Sequence, residues 1–211
     1  MIHPAETELV GVWQRESLAI SGGEAFEDSI VYWLHAGDHF ADMRWFLNPS
    51  QNEDLSVSAF AGTVQWTNPK IQFLHEIDFT EEYLEDTATL FYADGKLIER
   101  GQLTIDDQKI DFEEVWTPCG DRTIPNRFTV ARLDVKAAGG NEAQFGYFVR
   151  VDNFAIAMQR VGSDFNAACW HQKDEVAEWS ILQSIGRGEE LLPPLSELLT
   201  GSPRSEWDVL K

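Results

Sequence analysis

Short stretches in which apolar and polar residues alternate run along most of the chain, and turn-forming residues separate them. The stretch "HFADMRWFL" at 39–47 is typical, because Ala41, Met43, Trp45 and Leu47 share one parity. A period of two places successive side chains on opposite faces of a β-strand. β-Branched and aromatic residues, which strands favour, are frequent in these stretches. The pattern therefore predicts strands rather than helices.

Tight turns join most of the predicted strands to the next one. The plainest is Asp94-Gly95, where glycine supplies the positive φ that a two-residue hairpin turn requires. Sequential hairpins of this kind build an antiparallel meander, which usually closes to remove its edges. We therefore expect an all-β fold, a meander β-barrel of about 8–10 strands. The predicted strands cover 9–20, 27–35, 39–47, 61–66, 70–79, the hairpin 87–103, 109–116, 127–135, 144–151 and 154–160.

The pattern changes after residue 172. Val176, Trp179, Leu182 and Ile185 recur every three residues, which is the spacing of one helical face. We therefore expect a C-terminal helical segment. The predicted organisation is a barrel over 1–165 and a helical tail over 166–211 that packs on it, so that the chain forms one domain overall.

Composition excludes several classes of partner. Hydrophobic residues make up 43% of the 211 residues, which is enough to bury a sizeable core. Acidic residues outnumber basic ones by 36 to 16, and the net charge of −20 argues against binding to nucleic acid or to anionic lipid. No run approaches the ~18 apolar residues of a membrane span, so we expect no membrane insertion.

The remaining bulk features favour a cytoplasmic protein. The first ten residues, "MIHPAETELV", contain no basic segment followed by an apolar one, so they do not resemble a secretion signal. Cys119 and Cys169 are far apart and lack the spacing of a zinc site, and we expect both to be free thiols. Neither a P-loop nor a dinucleotide-binding glycine motif occurs, and we expect no cofactor.

Several short motifs occur in an order that resembles a known family. They are "VGVWQRESL" (10–18), "VYWLHAGDHFADMR" (31–44), "SAFAGTVQW" (58–66), "HEIDF" (75–79) and "FEEVW" (112–116). Together they resemble uncharacterised bacterial and fungal proteins of the calycin type, the group of lipocalins and fatty-acid-binding proteins. The chain departs from that pattern at His35, where the family has glutamine, and at "WFL" (45–47).

The resemblance implies a calycin-like barrel and brings no activity with it. It also implies that Trp13 of the Gly11-x-Trp13 motif closes one end of the barrel. In such barrels an arginine from a late strand often lies against this tryptophan. Arg160 is the first candidate for that arginine, and Arg150 is the second.

The third predicted strand leaves two orientations open. In the first, the apolar face of 41, 43, 45 and 47 points to the core, and Asp42 and Arg44 form an exposed pair. In the second, that face packs outward under the tail, and Arg44 lies in the barrel lumen. A buried arginine needs a carboxylate partner. Glu114 alternates with Phe112 and Trp116, and is the candidate partner.

Two further groups of polar residues are candidates for chemistry. His75 lies among aromatic residues, either as a core histidine or as an acid or base together with Glu114. The stretch "HAGDHFAD" (35–42) contains His35, Asp38, His39 and Asp42, two imidazoles and two carboxylates that could ligate a metal. A polar turn exposed to solvent explains that stretch as well, and we expect no metal site.

The distribution of aromatic residues suggests a lumen that receives a small lipophilic molecule. The leading hypothesis is binding of a small apolar or aromatic ligand. The alternatives are an isomerase, cyclase or lyase that uses His75 and Glu114, and an interaction protein with a filled barrel. Whether the protein is an enzyme, and whether it forms a homodimer, stays open. The predicted ligand-binding residues are Trp33, Arg44, Trp66, Tyr92, Phe112 and Trp116.

Overall fold

Eight strands form a closed antiparallel barrel in the first part of the chain. The structure is a computed structural model, and it describes residues 2–47, 57–81, 86–105, 108–119, 127–136, 142–173, 178–191 and 207–210. A short helix, α1 (Glu6–Leu9), precedes the barrel. Its strands are β1 (Gly11–Ile20), β2 (Ser29–Ala36), β3 (His39–Phe46), β4 (Val57–Thr67), β5 (Lys70–Asp78), β6 (Asp86–Ala93), β7 (Lys96–Ile105) and β8 (Gln108–Cys119).

Each barrel strand pairs with the next, and β8 returns to pair with β1. The first and last strands meet in a register that places Arg15 opposite Trp116. Closure gives every strand two neighbours and removes the exposed edges of an open sheet. The predicted all-β fold with an antiparallel barrel is therefore confirmed.

A second antiparallel sheet follows the barrel. Its strands are β9 (Phe128–Val135), β10 (Gln144–Val151), β11 (Phe154–Val161), β12 (Asp164–Gln172), β13 (Trp179–Ile185) and β14 (Asp208–Val209), in the order β13-β12-β11-β10-β9-β14. One face of this sheet packs against the outside of the barrel, where Met43 and Ile77 share a buried cluster with Val149 and Met158. The outer wall over β2 to β5 is thus part of a core rather than a solvent-exposed surface.

The helical periodicity near the C-terminus does not produce a helix at Trp179–Ile185. These residues form β13, which pairs with β12 from Ala167 to Gln172. Val176 lies outside the described residues. Pairing with the free edge of β12 satisfies the backbone polar groups of this segment and outweighs a weak local preference. The helical content after the barrel is one 3-10 turn, Gly188–Leu191, within the part of the chain that the structure describes.

The strands expected in one barrel over 1–165 are divided between two sheets. The closed barrel uses β1 to β8, while β9, β10 and β11 belong to the second sheet, and β12 lies mostly within the predicted helical tail. The shared buried cluster connects the two sheets. That the whole chain forms a single domain stays a prediction.

Two irregularities in the barrel decide which side chains face the lumen. The register shifts on β1 between Arg15 and Ser17, and between β4 and β5 at Glu76, the residue between His75 and Ile77. A bulge of this kind inserts one extra residue and redirects those that follow. Both His75 and Asp78 consequently face the lumen, while Ile77 packs outward against the second sheet.

Candidate functional site

Aromatic side chains fill one end of the barrel lumen. The Trp33 ring lies 6.1 Å from Trp13, 5.6 Å from Trp116 and 5.5 Å from Phe73, measured between centroids. The indole N–H of Trp13 donates to the carbonyl of Leu9 at 2.8 Å, which ties α1 across this end. Trp13 therefore closes the barrel, as the calycin resemblance implied.

The opposite end of the lumen contains a cavity of about 1150 Å³. Its apolar lining includes Leu18, Phe60, Ala88 and Phe112. These side chains come from β1, β4, β6 and β8, so the cavity lies inside the barrel rather than on one wall. The charged side chains of the lining that point into the barrel are Arg15, Arg44, His75, Asp78, Asp86, Glu99 and Glu114.

A buried ion-pair network surrounds Arg15, which is 6% exposed. Its guanidinium donates from Nε and Nη2 to the two carboxylate oxygens of Glu27, each at 3.0 Å. Nη1 donates to Glu114 Oε1 at 2.6 Å, and Nη2 also donates to the hydroxyl of Ser29 at 2.6 Å. The planar fork of arginine suits this two-sided arrangement, which fixes Glu114 in the lumen.

Arg44 lies in the lumen, as the second orientation of β3 requires. It donates to both oxygens of Asp42, at 2.7 and 3.3 Å, and its Nη1 is 3.9 Å from Glu114 Oε1. Ala41 and Met43 face the opposite way, into the cluster shared with the second sheet. Glu114 thus contacts two arginines, with Arg15 the closer.

His75 is held between two carboxylates. Its Nδ1 lies 2.7 Å from Asp78 Oδ2 and its Nε2 lies 3.2 Å from Asp86 Oδ2, while the ring stacks on Phe60 at 4.3 Å. Burial lowers the pKa of His75, but the hydrogen bonds and charges of both aspartates outweigh burial and raise it to about 9. The ring is therefore an imidazolium at neutral pH, and in this state it can donate protons but cannot accept one.

Glu99 is a buried carboxyl that the sequence analysis did not select. It is 4% exposed, and its Oε2 accepts from the indole N–H of Trp116 at 2.9 Å. Glu99 pairs directly with Glu114 across β7 and β8. Burial, followed by the charges of Glu114 and Asp86, raises the pKa of Glu99 well above its usual range, against the opposing effect of Arg44.

The stretch 35–42 was expected to be a polar turn exposed to solvent, but the residues at its two ends are buried. His35 and Asp42 are buried, so that expectation is wrong for both. The ring nitrogens of His35 and the indole N–H of Trp33 have no hydrogen-bond partner within the described residues. Burial lowers the pKa of His35 to about 4, against the opposing charge of Asp38, and the ring is neutral at pH 7.

The structure divides the predicted site residues between the two ends of the lumen. Arg44, His75, Phe112 and Glu114 line the cavity. The other four belong to the filled end, where two are buried and two are half-buried: Trp33, Trp116, Trp66 and Tyr92. Sequence alternation therefore found the lumen but did not separate its open half from its closed half.

The late-strand arginine does not lie against Trp13. Arg160 donates from Nη2 to the backbone carbonyl of Asp78 at 2.6 Å. Arg150, the second candidate, lies over the ring of Trp179 at 5.1 Å. Both arginines belong to the second sheet, which packs on the outer wall of the barrel and cannot reach its interior. This prediction is wrong.

Two residues of the site could have been found by the same alternation. Arg15 follows Trp13 by two positions, so both share one strand face. Glu99 follows Leu97 by two positions in the predicted hairpin, and Leu97 is buried in the filled end. A charged residue on an apolar strand face indicates a buried partner, and that signal was present at both positions.

Comparison with known proteins places the chain near one family. The sequence model of a family described as Protein HRI1 matches residues 11–209. The chain is also similar to a crystal structure of the uncharacterized protein YLR301w from Saccharomyces cerevisiae, with a TM-score of 0.67 and 17% identity. That likeness covers 83% of this chain and 85% of the other, and it shows the fold alone. No curated protein matches the chain. Among the described residues, no helix is long and apolar enough to cross a membrane.

Proposed function

The chain belongs to the HRI1 protein family, and we propose that its barrel binds a small molecule with an apolar or aromatic body. The observation that carries this proposal is the cavity of about 1150 Å³ inside a closed barrel that is filled at its other end. Ligand pockets are typically concave and apolar, with a few polar groups that orient the ligand. This cavity combines both kinds of lining.

The two kinds of lining suggest how a ligand would be held. Leu18, Phe60 and Phe112 would contact its body, and Arg44 and Glu114 would orient a polar group. Arg15 and Asp42 hold these two charged side chains in place through ion pairs. Such preorganisation lowers the entropic cost of binding. Contact of a ligand with Trp33, Trp66, Tyr92 or Trp116 stays a prediction.

The test is a screen of lipophilic molecules by tryptophan fluorescence and melting temperature, with native mass spectrometry of the purified protein. Leu18→Trp places a large ring in the cavity, and we expect it to weaken binding at least tenfold. Leu182→Trp is the matched control, because Leu182 is exposed on β13. If no compound changes either signal, or if both variants bind like the wild type, the proposal is wrong.

A second candidate function uses the same cavity for acid–base chemistry on a lipophilic substrate. The observation that favours it is that Glu99 lies opposite Glu114 in the register of β7 and β8, while Glu114 accepts a hydrogen bond from Arg15. Burial raises the pKa of Glu99 well above its usual range, as is typical of a carboxyl group that acts as a general acid. His75 would serve as a proton donor. An isomerase, cyclase or lyase would convert a bound compound into a product. Glu114→Gln or His75→Ala should abolish this turnover while binding persists. If every bound compound is recovered unchanged, this candidate function is wrong.

Four wider expectations remain predictions. A solid interaction module is the least favoured reading, because it would leave the cavity without a role. The calycin relationship rests on the motif order and the barrel. A cytoplasmic location and a homodimer are to be tested by fractionation and by sedimentation.

A further inference from the structure

Carboxylates outnumber cations among the side chains that face the open half of the lumen. The inward cations are Arg15, Arg44 and His75, and the carboxylates around them are Glu27, Asp42, Asp78, Asp86, Glu99 and Glu114. Lys70, Arg100 and Lys109 also border the opening, but their parity places them on the outer face of the barrel. The interior is therefore short of positive charge.

Glu99 is the carboxyl that this shortage leaves without a counter-charge. Each of the three inward cations is already within 3.0 Å of another carboxylate. Glu99 forms no ion pair within the described residues, and its Oε1 accepts no hydrogen bond there. A buried carboxylate without a cation is strongly unfavourable, so such a group either keeps its proton or gains a cationic partner.

We propose that the cavity binds an organic amine, and that the ammonium group of the ligand pairs with Glu99. This inference rests on the proposed function and specifies the ligand class of the same cavity. Asp86 and Glu114 lie close enough to act on Glu99 electrostatically, and both add to the attraction for a cation. Phe112 and Leu18, which line the same cavity, would contact the hydrocarbon part of the amine.

An anionic ligand fits the same surroundings less well. Its carboxylate would have to compete with Asp42 for Arg44 and with Glu27 for Arg15. Each of these arginines already donates two hydrogen bonds to its carboxylate partner. The charge of the whole chain, −20, repels anions and attracts cations at a distance.

Pairing with an ammonium group would also remove a proton from the site. Burial and the charges of Glu114 and Asp86 disfavour the charged form of Glu99, so its pKa lies well above its usual range when no ligand is bound. An ammonium ion reverses that balance and stabilises the carboxylate. Binding of the amine is therefore expected to release a proton from Glu99 to the buffer.

The test compares three probes of matched shape: 4-phenylbutylamine, 4-phenylbutan-1-ol and 4-phenylbutyrate. We expect the amine to bind at least tenfold more tightly than the alcohol at pH 7, and the carboxylate to bind most weakly. Isothermal titration in two buffers of different ionisation enthalpy measures the released proton. Glu99→Gln keeps an oxygen that can accept from Trp116, and it should equalise the amine and the alcohol and abolish the proton release.

Glu16→Gln is the control, since it makes the same charge change at an exposed residue paired with Lys96 on the barrel exterior. It should preserve the preference for the amine. If any compound binds but the amine is not preferred, or if Glu99→Gln preserves the preference, the amine assignment is wrong and the proposed function stands. If neither the probes nor the lipophilic screen gives binding, both are wrong.

Discussion

His35 and His75 lie in the same barrel, yet their surroundings shift their pKa values in opposite directions. His75 has an aspartate on each ring nitrogen, and its pKa rises to about 9. His35 has no hydrogen-bond partner within the described residues, and burial lowers its pKa to about 4. Each shift makes the free energy of unfolding depend on pH in its own range.

The His75 shift predicts a loss of stability on the alkaline side. A folded pKa of about 9 against an ordinary value of 6.5 means that the contribution is complete below pH 6.5 and disappears as the pH rises through 9. Its size is no more than about 3 kcal/mol. Urea unfolding of His75→Gln should therefore differ most from wild type at pH 6 and least at pH 9.5. The exposed His3 supplies the control His3→Gln, and an equal difference at both pH values would contradict the assignment.

The shift in the pKa of His35 predicts a loss of stability on the acidic side. In the unfolded chain His35 is protonated below about pH 6.5, whereas in the folded chain it is protonated only below about pH 4. The free energy of unfolding therefore falls as the pH drops from 6.5 to 4. His35→Leu has a similar volume and removes two buried nitrogens without partners. We expect this variant to equal or exceed wild-type stability at pH 7, by about 1 kcal/mol, and to lose less stability at pH 5. A clear destabilisation at pH 7, measured by urea unfolding, would show that the ring makes a favourable contact.

Alternation along each strand predicted part of the site, and the rest depended on contacts between strands. One of the two orientations considered for β3 placed Arg44 in the lumen with Glu114 as its partner; in the structure both line the cavity, but Arg44 hydrogen-bonds Asp42 and lies 3.9 Å from Glu114. Alternation with the buried Leu97 places Glu99 in the lumen, but its two distinguishing properties are its position opposite Glu114 on the next strand and its lack of an ion pair within the described residues. Neither property can be read from the local pattern.

At the level of elements, most strands of the barrel and of the second sheet follow from periodicity and turn residues. Asp94-Gly95 forms the turn between β6 and β7, with positive φ at both positions, as predicted. No strand was predicted at β12, and β13 was predicted as a helix because its conformation is set by the edge of β12 rather than by its own residues. Strand preference depends on pairing more than helix preference does.

The bulge between β4 and β5 is the element that aims His75 into the lumen. It depends on Gly62, where an added Cβ would lie 2.0 Å from the carbonyl oxygen of Leu74. We expect Gly62→Ala to cost about 3 kcal/mol, because backbone atoms must move apart. It should also lower the pKa of His75 toward 6.5, since the contacts with Asp78 and Asp86 loosen.

Nuclear magnetic resonance of the His75 ring measures that pKa, and urea unfolding measures the stability. The control is Gly95→Ala, at a turn glycine with φ +78° and nothing within 4 Å of an added Cβ. It should cost roughly 1–2 kcal/mol from backbone strain alone and leave the His75 titration unchanged. If Gly62→Ala behaves like Gly95→Ala, the bulge does not position His75.

At the scale of the whole molecule, the barrel and the second sheet share a core. Met43, Ala59 and Ile77 of the barrel pack in one cluster with Val149 and Met158 of the sheet. We expect the full chain to unfold in a single transition, because separating the two parts would expose this cluster to water. Tryptophan fluorescence and far-ultraviolet circular dichroism should give coincident curves.

Met158→Ala is the variant that tests this coupling, with an expected cost of about 2–5 kcal/mol. Both signals should shift together, although Met158 belongs to the sheet alone. Ile181→Ala, at an exposed position of the same sheet, should leave the midpoint nearly unchanged. Two separate transitions, or a shift confined to one signal, would show that the two sheets fold independently.

The aromatic residues that fill one end of the barrel also have a kinetic consequence. Trp13, Trp33 and Trp116 are buried and pack against one another at that end, so we expect a molecule in the cavity to enter and leave through the opposite opening. A substitution that narrows the opening without touching the bound ligand changes the barrier in both directions equally. It would slow association and dissociation by the same factor and leave the equilibrium affinity unchanged, so the time for which a ligand stays bound can vary independently of how tightly it binds.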